Sequence, residues 1–295
     1  MTLKAQKIIS ASLVSAATLG GFEALVYILN LNQPVIFLYL AFGIYFYLAL
    51  KITLLYDLHF KNPGALARAT ARHESVNHWL YRSIRIVATA FWDRFRHMRR
   101  WESFRQWLNY LLLPGLIFWS TVCLFYLNFG RQSIQQVFVC LSAAALVVSY
   151  WYLKEVFQRK NEVVDNDVFV VMSAAKVYAA FLIFTAALGI SRHFCLPEHL
   201  FLLGVFGLTF SLIYQALFQH QRINLKNLGL NLVLSFLLCL VAHLVFVYWG
   251  LNYFTGGIFL TAWYNFFWNL FHHKLDHNFS WSYFFSIWLR PPSRI

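Results

Sequence analysis

Long apolar segments, separated by short polar stretches, run through almost the whole chain and constrain its fold more than any other feature. Spans are predicted at about 8–29, 34–56, 108–129, 134–153, 168–190, 200–219, 228–250 and 253–271. Each has the ~18 or more nearly uncharged residues that a helix needs to cross ~30 Å of hydrocarbon. The sequence therefore predicts an all-α, polytopic integral membrane bundle of about eight transmembrane helices.

The composition excludes an ordinary soluble domain. Only 12% of the residues are charged and 60% are hydrophobic, whereas a soluble domain has roughly 25% charged residues. The four cysteines are scattered and form no CxxC pair, so no disulfide framework is predicted. The first apolar run continues to Leu29, which is too long for a typical signal peptide, so we expect an uncleaved first span. No internal boundary is apparent, and residues 1–295 are interpreted as one transmembrane domain.

Basic residues are distributed unevenly between the two sets of loops. If the N-terminus lies inside, the inner segments hold 20 of the 24 Lys and Arg residues, and the outer loops hold only Arg131 and Arg192. Because an excess of Lys and Arg marks the cytoplasmic side, both termini are predicted to be cytoplasmic. The expected location is a cell or inner membrane.

The stretch 57–107 is the one long loop, and it is strongly basic. Apolar residues recur in it at helical spacing, which predicts amphipathic helices on the cytoplasmic surface that bind anionic head groups. Arg96, Arg99 and Arg100 would clamp a phosphate-bearing substrate, unless they are only the ordinary basic excess of an inner loop. Nucleic acid is not expected as a partner, because no binding motif accompanies the charge. A second interfacial helix, rich in aromatics, is predicted at 278–290.

The last predicted span carries a polar stripe. Asn265, Asn269, His272 and Asp276 follow one another at steps of four, three and four residues, which is one face of a helix. Lipid cannot satisfy such groups, so the stripe is expected to face protein or water. Asn265 and Asn269 are candidate substrate-binding residues, and His272 and Asp276 are candidate catalytic residues.

Histidines concentrate at the predicted cytoplasmic side, where His73, His78, His272, His273 and His277 are candidate ligands for Fe or Zn. These clusters resemble in part the histidine boxes of the integral-membrane hydroxylases and desaturases, which bind a di-iron centre. The spacing differs, because those families use HxxxH and HxxHH, whereas His73 and His78 are five residues apart. The alternative is that these histidines are interfacial hydrogen-bonding residues.

The segment NEVVDND, residues 161–167, places three carboxylates on an inner loop. Carboxylates of this kind would hold Mg²⁺ against a diphosphate, as the aspartate-rich motifs of membrane prenyltransferases do. The alternative is a solvated loop that balances the charges of Arg159 and Lys160.

Ionisable residues within the spans are functional candidates, since burying them in hydrocarbon is costly. Counting from the span ends places Glu23 and His243 at one outer depth, where a buried pair would be catalytic, proton-conducting or structural. Lys176 lies about two turns from the cytoplasmic end and is a candidate substrate-binding residue.

Two functions from different classes remain open. The first is a membrane enzyme that modifies a lipid or isoprenoid substrate at the cytoplasmic face through the His/Asp cluster, whose residues act either as ligands of Fe or Zn or as acid–base groups. The second is a non-enzymatic transporter, channel or assembly subunit, in which the polar stripe lines a pathway or a partner interface. Expected partners are membrane lipids and either a second copy of the chain or a membrane complex.

Overall fold

The computed structural model of the protein describes residues 3–60, 101–158, 166–219, 223–249 and 252–275. In these ranges the chain is helical and contains no strand, which confirms the all-α prediction for this part of the chain. The helices are α1 (Leu3–Asn30), α2 (Pro34–Phe60), α3 (Trp101–Leu127), α4 (Gln132–Gln158), α5 (Asn166–His193), α6 (Glu198–Gln219), α7 (Leu225–Tyr248) and α8 (Tyr253–Leu275). Each predicted span overlaps one of these helices. Most of the stretch 57–107 and all of 278–290, where interfacial helices were predicted, lie outside the described residues.

Four described segments are long and apolar enough to cross a membrane: Gln132–Trp151, Ala174–His193, Glu198–Leu217 and Leu225–Tyr248. Three shorter apolar helical segments accompany them: Val14–Asn30, Pro34–Leu50 and Leu111–Leu127. The described part of α8 is in neither group, since Asn, Trp and Tyr residues interrupt its apolar sequence. The described part of the chain is thus all helical, and four of its segments have the length and apolar composition of a membrane span.

Short turns gather at one end of the bundle. Residues 31–33, 128–131 and 194–197 join α1 to α2, α3 to α4 and α5 to α6. Asn32, Gly130 and Cys195 have positive φ angles of 58°, 78° and 50°, and this left-handed conformation reverses the chain just after each helix. Side-chain contacts described below connect these turns with the end of α7 and the start of α8. We call this end of the molecule the turn end.

Helix α5 is the centre of the bundle and packs against α3, α4, α6 and α8. Its middle is buried on every side, as Ala179, Leu182, Phe184 and Leu188 show. A helix that is apolar all round belongs inside a bundle of other helices. Helix α5 is therefore the element against which α8 and its polar residues are positioned.

Candidate functional site

Helix α8 carries Asn265, Asn269 and the histidine pair His272 and His273, and it packs closely against α5. At Gly257 the two backbones nearly touch: a Cβ atom added there would overlap Oγ1 of Thr185 and lie 2.9 Å from its Cα. Four residues earlier, the ring of Tyr253 lies beside Gly189. These two contacts fix an antiparallel register between the helices.

The contact continues along α8 towards its C-terminal end. Tyr264 is buried with its ring centroid 6.0 Å from that of Phe184, and Phe271 is only 1% exposed. Buried positions recur at Gly257, Leu260, Tyr264 and Phe271, which is the spacing of one helix face. The end of α8 is therefore held against the bundle as far as the residue before His272.

This register places the end of α8 level with the start of α5. Counting fifteen residues along each helix from the Gly257–Thr185 contact, a distance of about 22 Å, brings His272 level with Val170. Three residues further, Leu275 is level with Asp167 in the first turn of α5. Asp167 is also eighteen residues, or about five full turns, before Thr185, so it occupies a position on the α8-facing side of α5.

Seven of the fourteen predicted site residues lie outside the described residues: His73, His78, Arg96, Arg99, Arg100, Asp276 and His277. His272 and His273 belong to the last turn of α8, where the helix backbone is described. Among the side chains that the structure describes, no group of three His, Cys, Asp or Glu residues is arranged to hold a metal ion.

Asn265 is half-buried at the edge of the face of α8 that packs against α5, whereas Asn269 is exposed on the side away from α5. Neither amide makes a hydrogen bond to another described residue. In the described part of the chain these groups therefore line the outside of α8.

Lys176 is half-buried on α5, but it lies away from the two asparagines of the polar stripe, Asn265 and Asn269. It is nine residues before Thr185, which corresponds to about two and a half helical turns. Since Thr185 faces α8, the side chain of Lys176 is attached to the face of α5 that points away from α8. The structure therefore does not bring Lys176 together with Asn265 and Asn269.

Glu23 and His243 have separate partners, so the described structure does not bring together the pair that their common depth suggests. Glu23 Oε2 accepts a hydrogen bond from Nε2 of Gln136 in α4, at 3.0 Å. His243 Nδ1 contacts Oε1 of Glu198 in the first turn of α6, and these two side chains are 48% and 36% exposed. Depth along a span places two residues at one level without bringing their helices together.

A polar network that was not predicted from the sequence lies at the turn end. Tyr253 donates its hydroxyl to Oδ1 of Asn128 at 3.1 Å, and the amide of Asn128 donates to the Leu124 carbonyl at 2.8 Å. Nearby, Asn30 donates to Gln135 Oε1 at 3.4 Å. Asn128 and Gln135 are both buried. The signal for this network is the polar residues that flank each predicted turn.

Arg192 connects the end of α5 with the end of α7 at the turn end. Its Nη2 donates to the carbonyl of Phe246 at 2.9 Å, and its guanidinium lies 5.6 Å from the centre of the Phe246 ring. A cation near the end of α7 stabilises the carbonyls that the helix itself leaves unpaired. The two arginines of the predicted outer loops are thus at the turn end, where Arg192 has a structural role.

A chain of three hydroxyls crosses the interior between α3, α4 and α5. The hydroxyl oxygens of Tyr178 and Ser142 are 3.1 Å apart, and those of Ser142 and Thr121 are 2.8 Å apart. The hydroxyl oxygen of Thr121 also lies 2.7 Å from the carbonyl oxygen of Ile117. If Thr121 donates to the carbonyl, Ser142 must donate to Thr121 and Tyr178 to Ser142, because each hydroxyl has one proton. The chain connects the three helices and satisfies its own buried groups.

Comparisons with protein-family models, curated proteins and solved structures find no match to this chain.

Proposed function

We propose that the protein is an integral membrane enzyme that modifies a lipid or isoprenoid substrate at the cytoplasmic face. In this proposal the bundle has eight spans, the turn end faces outwards and both termini are cytoplasmic. The observation that carries the proposal is the burial of α8 against α5 as far as Phe271. It supports a fixed position for the histidine pair at the end of the bundle opposite the turn end.

The proposed site combines groups from the end of α8, the start of α5 and the basic loop 57–107. His272, His273 and His277 would act with His73 and His78 as ligands of Fe or Zn or as acid–base groups, with Asp276 as a ligand or an orienting carboxylate. Asp167 adds a carboxylate from α5, since the antiparallel register brings the first turn of α5 level with the end of α8. Carboxylate and imidazole together suit either metal.

The orientation of the bundle follows from where the basic residues are. The turn end carries Arg131 and Arg192, while the segments predicted at the opposite end carry 20 Lys and Arg residues. Arg96, Arg99 and Arg100 would bind the head group of the substrate by pairing with phosphate oxygens. A substrate with an anionic head and a long apolar chain fits such a site at a membrane surface.

Elemental analysis of the detergent-purified protein tests the metal site. We expect about one or two Fe or Zn ions per chain, lost in the double variant His273→Ala/His277→Ala. The matched control is His193→Ala/His199→Ala, which removes two exposed histidines of the turn end and should leave the metal content unchanged. A folded wild-type protein without metal would contradict the proposed centre.

Lipid analysis tests the reaction itself. Membranes of cells that produce the wild-type protein should contain a lipid species that mass spectrometry does not find with the His273→Ala/His277→Ala variant at equal expression. The His193→Ala/His199→Ala control should produce the same species as wild type. Identical lipid profiles for wild type and the histidine variant would remove the support for an enzyme.

The second candidate function is a non-enzymatic one, as a transporter, channel or assembly subunit. The exposure of Asn269 on α8 favours it, because a polar group on the outside of a membrane helix suits a protein partner. Under this alternative the protein retains no metal, and the two double histidine variants leave the lipid composition unchanged.

A further inference from the structure

Helix α8 has one narrow exposed stripe on the side that does not face α5. From residue 253 to residue 271, the exposed residues are Thr255, Ile258, Ala262, Phe266 and Asn269. They follow one another at steps of three, four, four and three residues. Three of them, Thr255, Ala262 and Asn269, are seven residues apart, which is the repeat along which two helices pack in a left-handed pair.

An amide on this stripe needs a hydrogen-bond partner. Asn269 lies sixteen residues from the start of α8, about 24 Å along the helix and therefore within ~30 Å of hydrocarbon if the span begins at Tyr253. Lipid tails neither donate nor accept hydrogen bonds, and an unpaired polar group among them costs several kcal/mol. No other described residue bonds to Asn269.

We propose that the stripe is a contact between two copies of this chain, packed α8 against α8 about a two-fold axis along the membrane normal. Both copies have the same orientation in the membrane, so this symmetry puts Asn269 of one copy opposite Asn269 of the other at the same depth. An amide carries both donors and an acceptor, so the two side chains satisfy each other. Ala262, near the middle of the stripe, allows the two backbones to approach closely.

The chemistry of the stripe favours a second copy over a different protein. It contains no charged residue, so it offers nothing to a partner selected by charge. A different partner would have to carry a polar group at the depth of Asn269, whereas a second copy always does. The proposal does not depend on the reaction, because it rests on residues 255–269 of α8 and not on the histidines that follow them.

Oxidative cross-linking in membranes tests the interface position by position. In a chain whose four native cysteines are replaced by serine, single cysteines are introduced by Ile258→Cys, Ala262→Cys and Asn269→Cys. The controls are Phe259→Cys and Leu270→Cys, at two partly buried positions of α8 outside the stripe. We expect disulfide-linked dimers of the chain at the first three positions and few at the controls. Equal yields at all five positions, or cross-links only to a protein of different mass, would overturn the proposal.

A second measurement tests the amide directly. Energy transfer between labelled copies in proteoliposomes gives the dissociation constant of the dimer as the lipid-to-protein ratio changes. Asn269→Leu should raise this constant roughly three- to thirty-fold, the factor that corresponds to one interhelical hydrogen bond. Asn269→Gln, which keeps an amide, should raise it less, and Phe236→Leu on the exposed side of α7 should not change it. An unchanged constant for Asn269→Leu would contradict the proposed contact.

Discussion

Gly257 is the position where α8 comes closest to α5, and replacing it by alanine tests whether this close approach fixes the position of α8. The added methyl group would overlap Oγ1 of Thr185 and lie 2.9 Å from both Cα and Cβ of that residue. Carbon atoms at their optimal separation are about 3.5–4.0 Å apart. Because one of the atoms belongs to the backbone, a change of side-chain rotamer cannot remove the overlap. The two helices must separate by about 1 Å, and the side chains packed between them lose part of their attraction.

The expected loss is obtained by comparison with a glycine that has free space around it. Gly207 in α6 has no atom within 4 Å of an added Cβ, so Gly207→Ala should gain up to about 1 kcal/mol from helix propensity alone. Gly257→Ala has the same gain and adds an overpacking cost of about 1–3 kcal/mol. The free energy of unfolding should therefore be about 1–3 kcal/mol lower for Gly257→Ala than for Gly207→Ala.

Thermal unfolding of the detergent-purified variants measures this difference. Adding Thr185→Gly to Gly257→Ala removes the whole side chain that the methyl group overlaps and leaves only the backbone of residue 185 in its way. The second substitution should therefore recover part of the loss and give a favourable coupling in a double-mutant cycle. If Gly257→Ala and Gly207→Ala have the same stability, the close approach of α8 to α5 is wrong. The register that places His272 near the start of α5 would then be wrong as well.

Two further substitutions test the turn end. Tyr253→Phe leaves the buried Oδ1 of Asn128 without its donor and should lower the free energy of unfolding by about 1–3 kcal/mol, whereas Tyr248→Phe, at a 79% exposed side chain, should change it by less than about 0.5 kcal/mol. Equal effects of the two variants in thermal unfolding would refute the bond. His243→Ala should cost less than about 1 kcal/mol, because its contact with Glu198 is exposed. A larger loss that persists when Glu198 is also replaced by alanine would show that His243 has another structural partner.

The helices and the turns between them could be predicted from the sequence, because each depends on local features. A run of apolar residues long enough to cross a membrane must satisfy its own backbone, and only a helix does so within one segment. Asn32 and Gly130 lie in the short turns after α1 and α3, and both residue types tolerate the left-handed conformation found there. These features require no knowledge of which helices are neighbours.

The pairing of residues on different helices could not be predicted in the same way. Glu23 and His243 were matched by depth, but depth gives only one of the coordinates that bring two side chains together. The angular position around each helix depends on which face is buried, and α5 is apolar on all sides, so its sequence does not show which face meets α8. For this reason the separation of Lys176 from the stripe is visible only in the structure.

Gly257 shows how a sequence signal acquires its meaning from packing. In the sequence, two adjacent glycines, Gly256 and Gly257, inside an apolar segment are compatible with a broken helix, the kind of interruption that a transporter uses. In the structure α8 continues through both residues, and Gly257 instead allows contact with Thr185. In a membrane there is no hydrophobic force between helices, so close backbone packing of this kind is a principal source of association. The same residue therefore argues for a fixed α8 that presents its histidines at one end and its exposed stripe at the side.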